Sequence, residues 1–143
     1  FSLENGVDAV IANHEHVIHG INTNITENKF CVYSLGNLLS SNGVTIPPFD
    51  KKTEYSVGVD IDLIRSKDNS KKIIAKYTFT LFHSFLDEDG KVICGLLFDT
   101  ISNCKDEKER RNLININNEL VNKVMGTKDK NYPLKQSYLY KKE

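Results

Sequence analysis

Charge of one sign is what this sequence most plainly lacks. Nineteen Lys and Arg side chains are matched by nineteen Asp and Glu, so no net field draws the chain to nucleic acid or to an anionic membrane. Nucleic acid is therefore not an expected partner. Long apolar runs are also missing: none approaches the roughly 20 residues needed to span a bilayer. The opening "FSLENGVDAV" has no basic stretch leading into an apolar one, so it does not read as a signal peptide. Paired cysteines are absent too. Cys31, Cys94 and Cys104 form an odd set without CxxC spacing, which reads as buried or incidental thiols rather than a disulfide framework or zinc knuckle. There is no internal repeat and no low-complexity segment. Phe1 falls inside what reads as the last turn of a helix. The chain is therefore expected to be a piece of a longer protein, with any export signal or anchor upstream.

What is present is a globular balance. The 143 residues are 39% hydrophobic and 27% charged, enough for one domain with a real core. Asn5-Gly6 releases the chain from its first turn, and "VDAVIAN" follows as a nearly continuous apolar run. Such a run suggests a strand buried between the layers of an α/β fold. "FCVYSLGNLL" is the second run, broken at Gly36-Asn37. Between them "NTNITENK" is turn-like, so residues 17–35 suggest a hairpin-like excursion. Residues 40–53 read as an irregular surface loop.

From Tyr55 a period of two sets in, with Tyr55, Val57, Val59, Ile61 and Leu63 on one face of a strand. "RSKDNSKK" is a turn, and residues 73–85 form a second strand antiparallel to the first. Asp89-Gly90 turns again into the apolar "KVICGLL". A helix is expected from about Lys105 to Met125, capped by Asn103 and stopped by Gly126. Its buried stripe is Leu113, Ile116, Leu120 and Val124. Residues 1–125 read as the domain and 126–143 as a C-terminal tail, whose Tyr132, Tyr138, Leu139 and Tyr140 could dock on a surface.

Three of the four histidines fall in "ANHEHVIHG", directly after the first apolar run. In an extended segment residues i and i+2 point to the same side, so His14 and His16 could aim into one pocket. Ligands of open α/β sheets bind just beyond the carboxyl ends of strands, and neutral imidazole is a good ligand for zinc, manganese, iron or nickel. The plainer alternative is an HxH that arises by chance in a loop. Glu15, between the two, would face solvent. Two ligands do not complete a site, since a catalytic zinc takes about three protein ligands. Asp8, Asp50, Asp60 and Asp62 read as turn or strand-surface carboxylates. By spacing alone, half a site is visible.

"NGVDAVIANHEHVIHGI" followed by "KFCVYSLGNLL" resembles the C-terminal part of the CapA-type proteins of poly-γ-glutamate capsule synthesis, a branch of the calcineurin-like metallophosphatases. The family pattern is roughly a Gly-Ala-Asp strand, a Gly-x-His-Pro-His-Val turn, and then Tyr-Ser-Leu-Gly-Asn-Phe. The likeness is specific over residues 5–38. It implies the C-terminal part of a layered metallophosphatase-like β-sandwich flanked by helices. It also implies divalent metal ions (Mn, Zn or Fe), two in a complete site, with His14 and His16 as ligands. His19 would be a catalytic hydrogen-bond donor at the rim, and Gly36 and Asn37 would contact substrate. For Asn37 the alternative is a turn-capping role. Glu15 replaces the usual proline, Ala12-Asn13 a Gly-containing pair, His19 a Gln, and Asn22 a Glu. These changes touch the pocket rim and leave the HxH intact.

The family's Asp and Asn-His metal motifs have no equivalent here, so a missing N-terminal half or a second chain is the expected partner, and homo-oligomerisation is another route. The chain by itself is not expected to be active. Completed, it would hydrolyse a phosphoester or act on an anionic polymer, at a bacterial cell envelope or membrane. One alternative is a non-catalytic scaffold or polymer-binding subunit of a capsule complex. Another is an unrelated β-rich sugar- or peptide-binding module with an accidental HxH, favoured if the strand before His14 is a sheet edge.

Overall fold

In the computed structural model residues 3–24, 29–39, 51–65 and 73–140 are described. The chain enters through a 3-10 turn at Leu3–Asn5 and leaves it at Gly6. β1 (Ala9–Ile11) runs parallel to β3 (Lys29–Val32), which pairs antiparallel with β2 (Ile21–Asn24). Residues 17–35 thus contain a hairpin, as expected, and the sheet order is β1-β3-β2.

Burial in this sheet departs from expectation. Phe30 and Val32 of β3 are fully buried, but Ile11 is 53% exposed and Val7 40%. Among the described residues β1 is an edge strand with one neighbour, not a strand between layers. An apolar run shows that a strand could be covered; it does not show that the covering layer is present.

The second sheet holds β4 (Tyr55–Arg65), β5 (Ile73–Leu86), β6 (Val92–Leu96) and the short β7 (Tyr138–Leu139). β4 and β5 pair antiparallel from Tyr55↔His83 to Arg65↔Ile73, and β6 and β7 both pair with β5. Alternation along β4 sends Tyr55 and Val57 inward and Asp60 and Asp62 outward. Ser56 breaks the pattern by being buried as well, where Gly36, beyond the end of β3, bridges to it.

One core joins the sheets and two helices. Phe30 stacks on Tyr77 at 4.2 Å between ring centres, and Phe79 on Tyr138 at 5.3 Å. Burial of such aromatic and aliphatic side chains is the main stabilising term, at roughly 25 cal/mol per Å² of apolar surface. Helix α1 (Leu97–Asn103) was not foreseen; it buries Leu97 and Ile101, one turn apart, completely. Helix α2 (Glu107–Met125) follows, and its cap is Asp106, not Asn103. The Asp106 carboxylate accepts from the Glu109 amide at 2.7 Å, whereas Asn103 is used up as the last residue of α1. Gly126 ends α2 at φ +68. Leu113, Leu120 and Val124 are buried as the stripe predicts, while Ile116 is half-buried. Asn117 also faces the core and binds the Tyr138 hydroxyl at 3.0 Å, which docks residues 126–140 against the sheet.

The architecture is therefore α+β, mixed sheets with helices. Among the described residues no helix is long and apolar enough to cross a membrane. Several expectations lie outside the described residues: the irregular loop up to residue 50 with Asp50, the turn at 66–72, and residues 25–28.

Candidate metal centre

The first sheet delivers the histidine loop. Past Ile11 the Ala12 amide still donates to the Val32 carbonyl at 2.9 Å, so the chain leaves the sheet in parallel register with β3. It then bends through Glu15, His16 and Val17. His16 has φ +59, a left-handed conformation that costs a non-glycine residue about 1 kcal/mol. The segment is not extended, so the i, i+2 rule does not govern where His14 and His16 aim. That the histidines follow directly on the strand end was legible; the left-handed residue was not.

The two sequence motifs meet here. Asn13 Oδ1 accepts from Ser34 Oγ at 3.2 Å, and His16 Nδ1 lies 2.7 Å from Asn37 Oδ1. Each pair is 21 residues apart, which is the offset of the strand partners Ala9↔Phe30 and Ile11↔Val32. Parallel pairing therefore continues as side-chain contacts after the strands have ended. Ser34 is fully buried; its hydroxyl also accepts from the Gly36 amide at 3.4 Å, and its carbonyl from the His19 amide at 3.0 Å.

Segment 35–38 then crosses to the second sheet. The Leu35 carbonyl accepts from Val57 N at 2.8 Å, and the Leu38 carbonyl from Ser84 Oγ at 2.9 Å. Asn37 Nδ2 donates to the Thr53 carbonyl at 3.3 Å. Gly36 has φ +77, and a Cβ there would lie 2.5 Å from the Tyr55 carbonyl oxygen. Only glycine fits that crossing.

The expected site residues are thus distributed as follows. His14, Glu15 and His16 are exposed on the loop, and His19 is half-buried, holding the loop to Ser34 through its backbone. Asn37 is 8% exposed, with its carboxamide directed at His16 and Thr53. Asp8, Asp60 and Asp62 are exposed. Among the described residues no three His, Cys, Asp or Glu side chains gather as a metal cage. His14 and His16 suit a divalent transition metal as two of its ligands, and further donors are needed to complete it.

A second polar cluster had no signal in the sequence beyond His83's place in the β5 pattern. His83 stacks on Tyr55 at 4.9 Å, with its Nε2 3.9 Å from a Glu54 carboxylate oxygen. Burial holds His83 below the usual imidazole range, outweighing the opposite pull of Glu109. The Tyr55 hydroxyl is pushed up to about 12 by burial, then by Glu54 and Glu109. Among the described residues His83 Nδ1 and Ser56 Oγ are buried without a hydrogen-bond partner. Elsewhere a broad cleft of about 690 Å³ lies along the C-terminal half of α2 and the loop after it, lined by Asn115, Asn118, Lys123 and Lys128 among others. None of the histidines lines it.

No protein-family model, curated protein or solved structure matches the chain.

Proposed function

We propose that the chain is the C-terminal part of a capsule polymer biosynthesis protein of metallophosphatase-like, layered architecture, acting in metal-dependent phosphoester hydrolysis. The observation that carries this reading is the double contact between the motifs, Asn13 to Ser34 and His16 to Asn37. The residues that resemble the family's HxH turn and those that resemble its Tyr-Ser-Leu-Gly-Asn motif form one structure at the carboxyl end of a parallel strand, where ligands of α/β sheets bind. In this reading His14 and His16 hold metal. A bound divalent ion supplies Lewis acidity to a phosphoryl oxygen and a lowered pKa to bound water. His19 donates a hydrogen bond at the rim.

The remaining ligands come from an N-terminal half or a second chain. Support for such a partner is the edge of β1, which no other strand among the described residues pairs, with Ile11 and the preceding Val7 exposed, since an unpaired edge invites strand addition. The edge position also favours a second reading, an unrelated β-rich sugar- or peptide-binding module in which the HxH is incidental.

Metal analysis separates the two. The whole protein is expected to bind Zn²⁺ or Mn²⁺ and to hydrolyse a chromogenic phosphate ester, with both properties lost in His14→Ala and His16→Ala. Purified protein that carries no metal, and is unchanged by either substitution, overturns the metallophosphatase reading.

A further inference from the structure

The hydrogen-bond network around His16 determines which of its ring nitrogens carries the proton. A backbone carbonyl can only accept, so the Asn37 side-chain atom facing Thr53 O at 3.3 Å is the Nδ2 amide. The other end of the carboxamide is then Oδ1, which also only accepts, and it lies 2.7 Å from His16 Nδ1. Nδ1 must therefore hold a proton. In the neutral ring that leaves the lone pair on Nε2, the tautomer set by the partner of the other nitrogen.

Three further observations make this fixed rather than incidental. Asn37 is 8% exposed, so its carboxamide cannot turn over freely into solvent. Its neighbour Gly36 is locked against the Tyr55 carbonyl at a φ of +77. His16 itself sits at φ +59, a left-handed backbone state uncommon for a residue other than glycine. Its ring is tied to Asn37, a buried anchor in the segment that crosses to the second sheet.

We infer that Asn37 is a positioning residue: it holds His16 in the Nδ1–H tautomer and presents Nε2 as a donor to a divalent transition metal. The inference rests on the metal reading proposed above. A carbonyl accepting the distal N–H of a ligating histidine orients the ring and raises its basicity, and loss of such a partner costs about 10- to 100-fold in metal affinity. In this role Asn37 acts through His16.

The test has two arms on the whole protein. Long-range ¹H–¹⁵N spectra of the metal-free wild type are expected to give a protonated-type shift at His16 Nδ1 and an unprotonated-type shift at Nε2. An Nε2–H tautomer overturns the inference whatever the metal does. In calorimetric titration with Zn²⁺, Asn37→Ala is expected to bind at least about tenfold more weakly than wild type. Asn37→Asp, which keeps an acceptor oxygen, is expected to retain binding. Equal Zn²⁺ affinity in wild type and Asn37→Ala refutes the positioning role and leaves the metal reading standing. Zn²⁺ binding that is absent in wild type, or unaffected by His16→Ala, refutes the metal reading and the inference with it. Should Asn37→Ala not fold, the wild-type tautomer and Asn37→Asp decide.

Discussion

Replacing Gly36 by alanine tests whether the crossing between the sheets is as tight as its geometry requires. The added Cβ would stand 2.5 Å from Tyr55 O, 3.2 Å from Ser56 Cα and 3.3 Å from Ile18 Cγ1. The nearest of these is a backbone atom on a strand paired to β5 through Tyr55↔His83, so it cannot swing aside as a side chain would. Two costs add. A left-handed φ of +77 costs alanine about 1 kcal/mol, and an overpacked contact against fixed backbone costs about 1–3 kcal/mol. The sum is about 2–4 kcal/mol, a large share of a total that for such domains is about 5–15 kcal/mol. With a urea slope near 2 kcal/mol per M, the unfolding midpoint should fall by about 1–2 M without a change in slope. Gly126→Ala is the control. Gly126 has φ +68 and nothing within 4 Å of its added Cβ, so only the strain of about 1 kcal/mol applies. If Gly36→Ala shifts the midpoint no further than Gly126→Ala, the close approach to Tyr55 is not a feature of the folded protein. The site would then lose the wedge that seats Asn37.

Two further outcomes follow from buried polar groups. His83 has its folded pKa lowered by burial, so the folded state binds fewer protons than the unfolded one as acid is added. Stability from this group is complete above about pH 6.5 and declines as pH falls below it towards the folded pKa. Melting temperatures at pH 7.5 and 5.5 should therefore diverge in wild type and converge in His83→Gln, and an equal drop in both variants would assign the acid sensitivity elsewhere. Tyr138→Phe removes the hydroxyl that meets the Asn117 carboxamide at 3.0 Å and leaves a 3%-exposed amide unpaired. It should cost about 1–3 kcal/mol in denaturant titration, and a neutral result would mean that water reaches Asn117.

Periodicity made the second sheet readable. Tyr55 to Ile61 and residues 77–85 carry the two-residue repeat because there each strand has one face on the core, whereas Leu63, expected on the same face, is 67% exposed; the strands pair as the repeat predicts. Helix α2 was legible for the same reason, through Leu113, Leu120 and Val124. Its start was misplaced because Asn103 and Asp106 are both plausible caps. Only the presence of α1, a short helix with no side-chain cap, assigns Asn103 to the preceding element. β1 was misread because "AVI" is equally apolar on a covered strand and on an uncovered edge. At the site, the residue types in the two motifs were visible, but the left-handed His16 was not. Nothing in "NHEHV" marks a positive φ, and the contact with Asn37 is 21 residues away in sequence.

That dependence ties the candidate site to the β1–β3 pairing more than to the loop sequence. The contacts Asn13–Ser34 and His16–Asn37 preserve the 21-residue offset of Ala9↔Phe30, so a one-residue slip of β1 against β3 would separate both pairs at once. Such a slip would also turn every side chain of β1 to the opposite face. In an exposed edge strand of three residues, with Ala9 and Ile11 both outward, little burial distinguishes the two registers. The hydroxyl of buried Ser34 and the carboxamide of buried Asn37 therefore serve as register marks that the strand itself lacks. Each has a partner on the loop only when Ala9 lies opposite Phe30. The polar groups that shape the histidine loop are thus also what keeps β1 in place, and a partner strand added to its open edge would reinforce the same register.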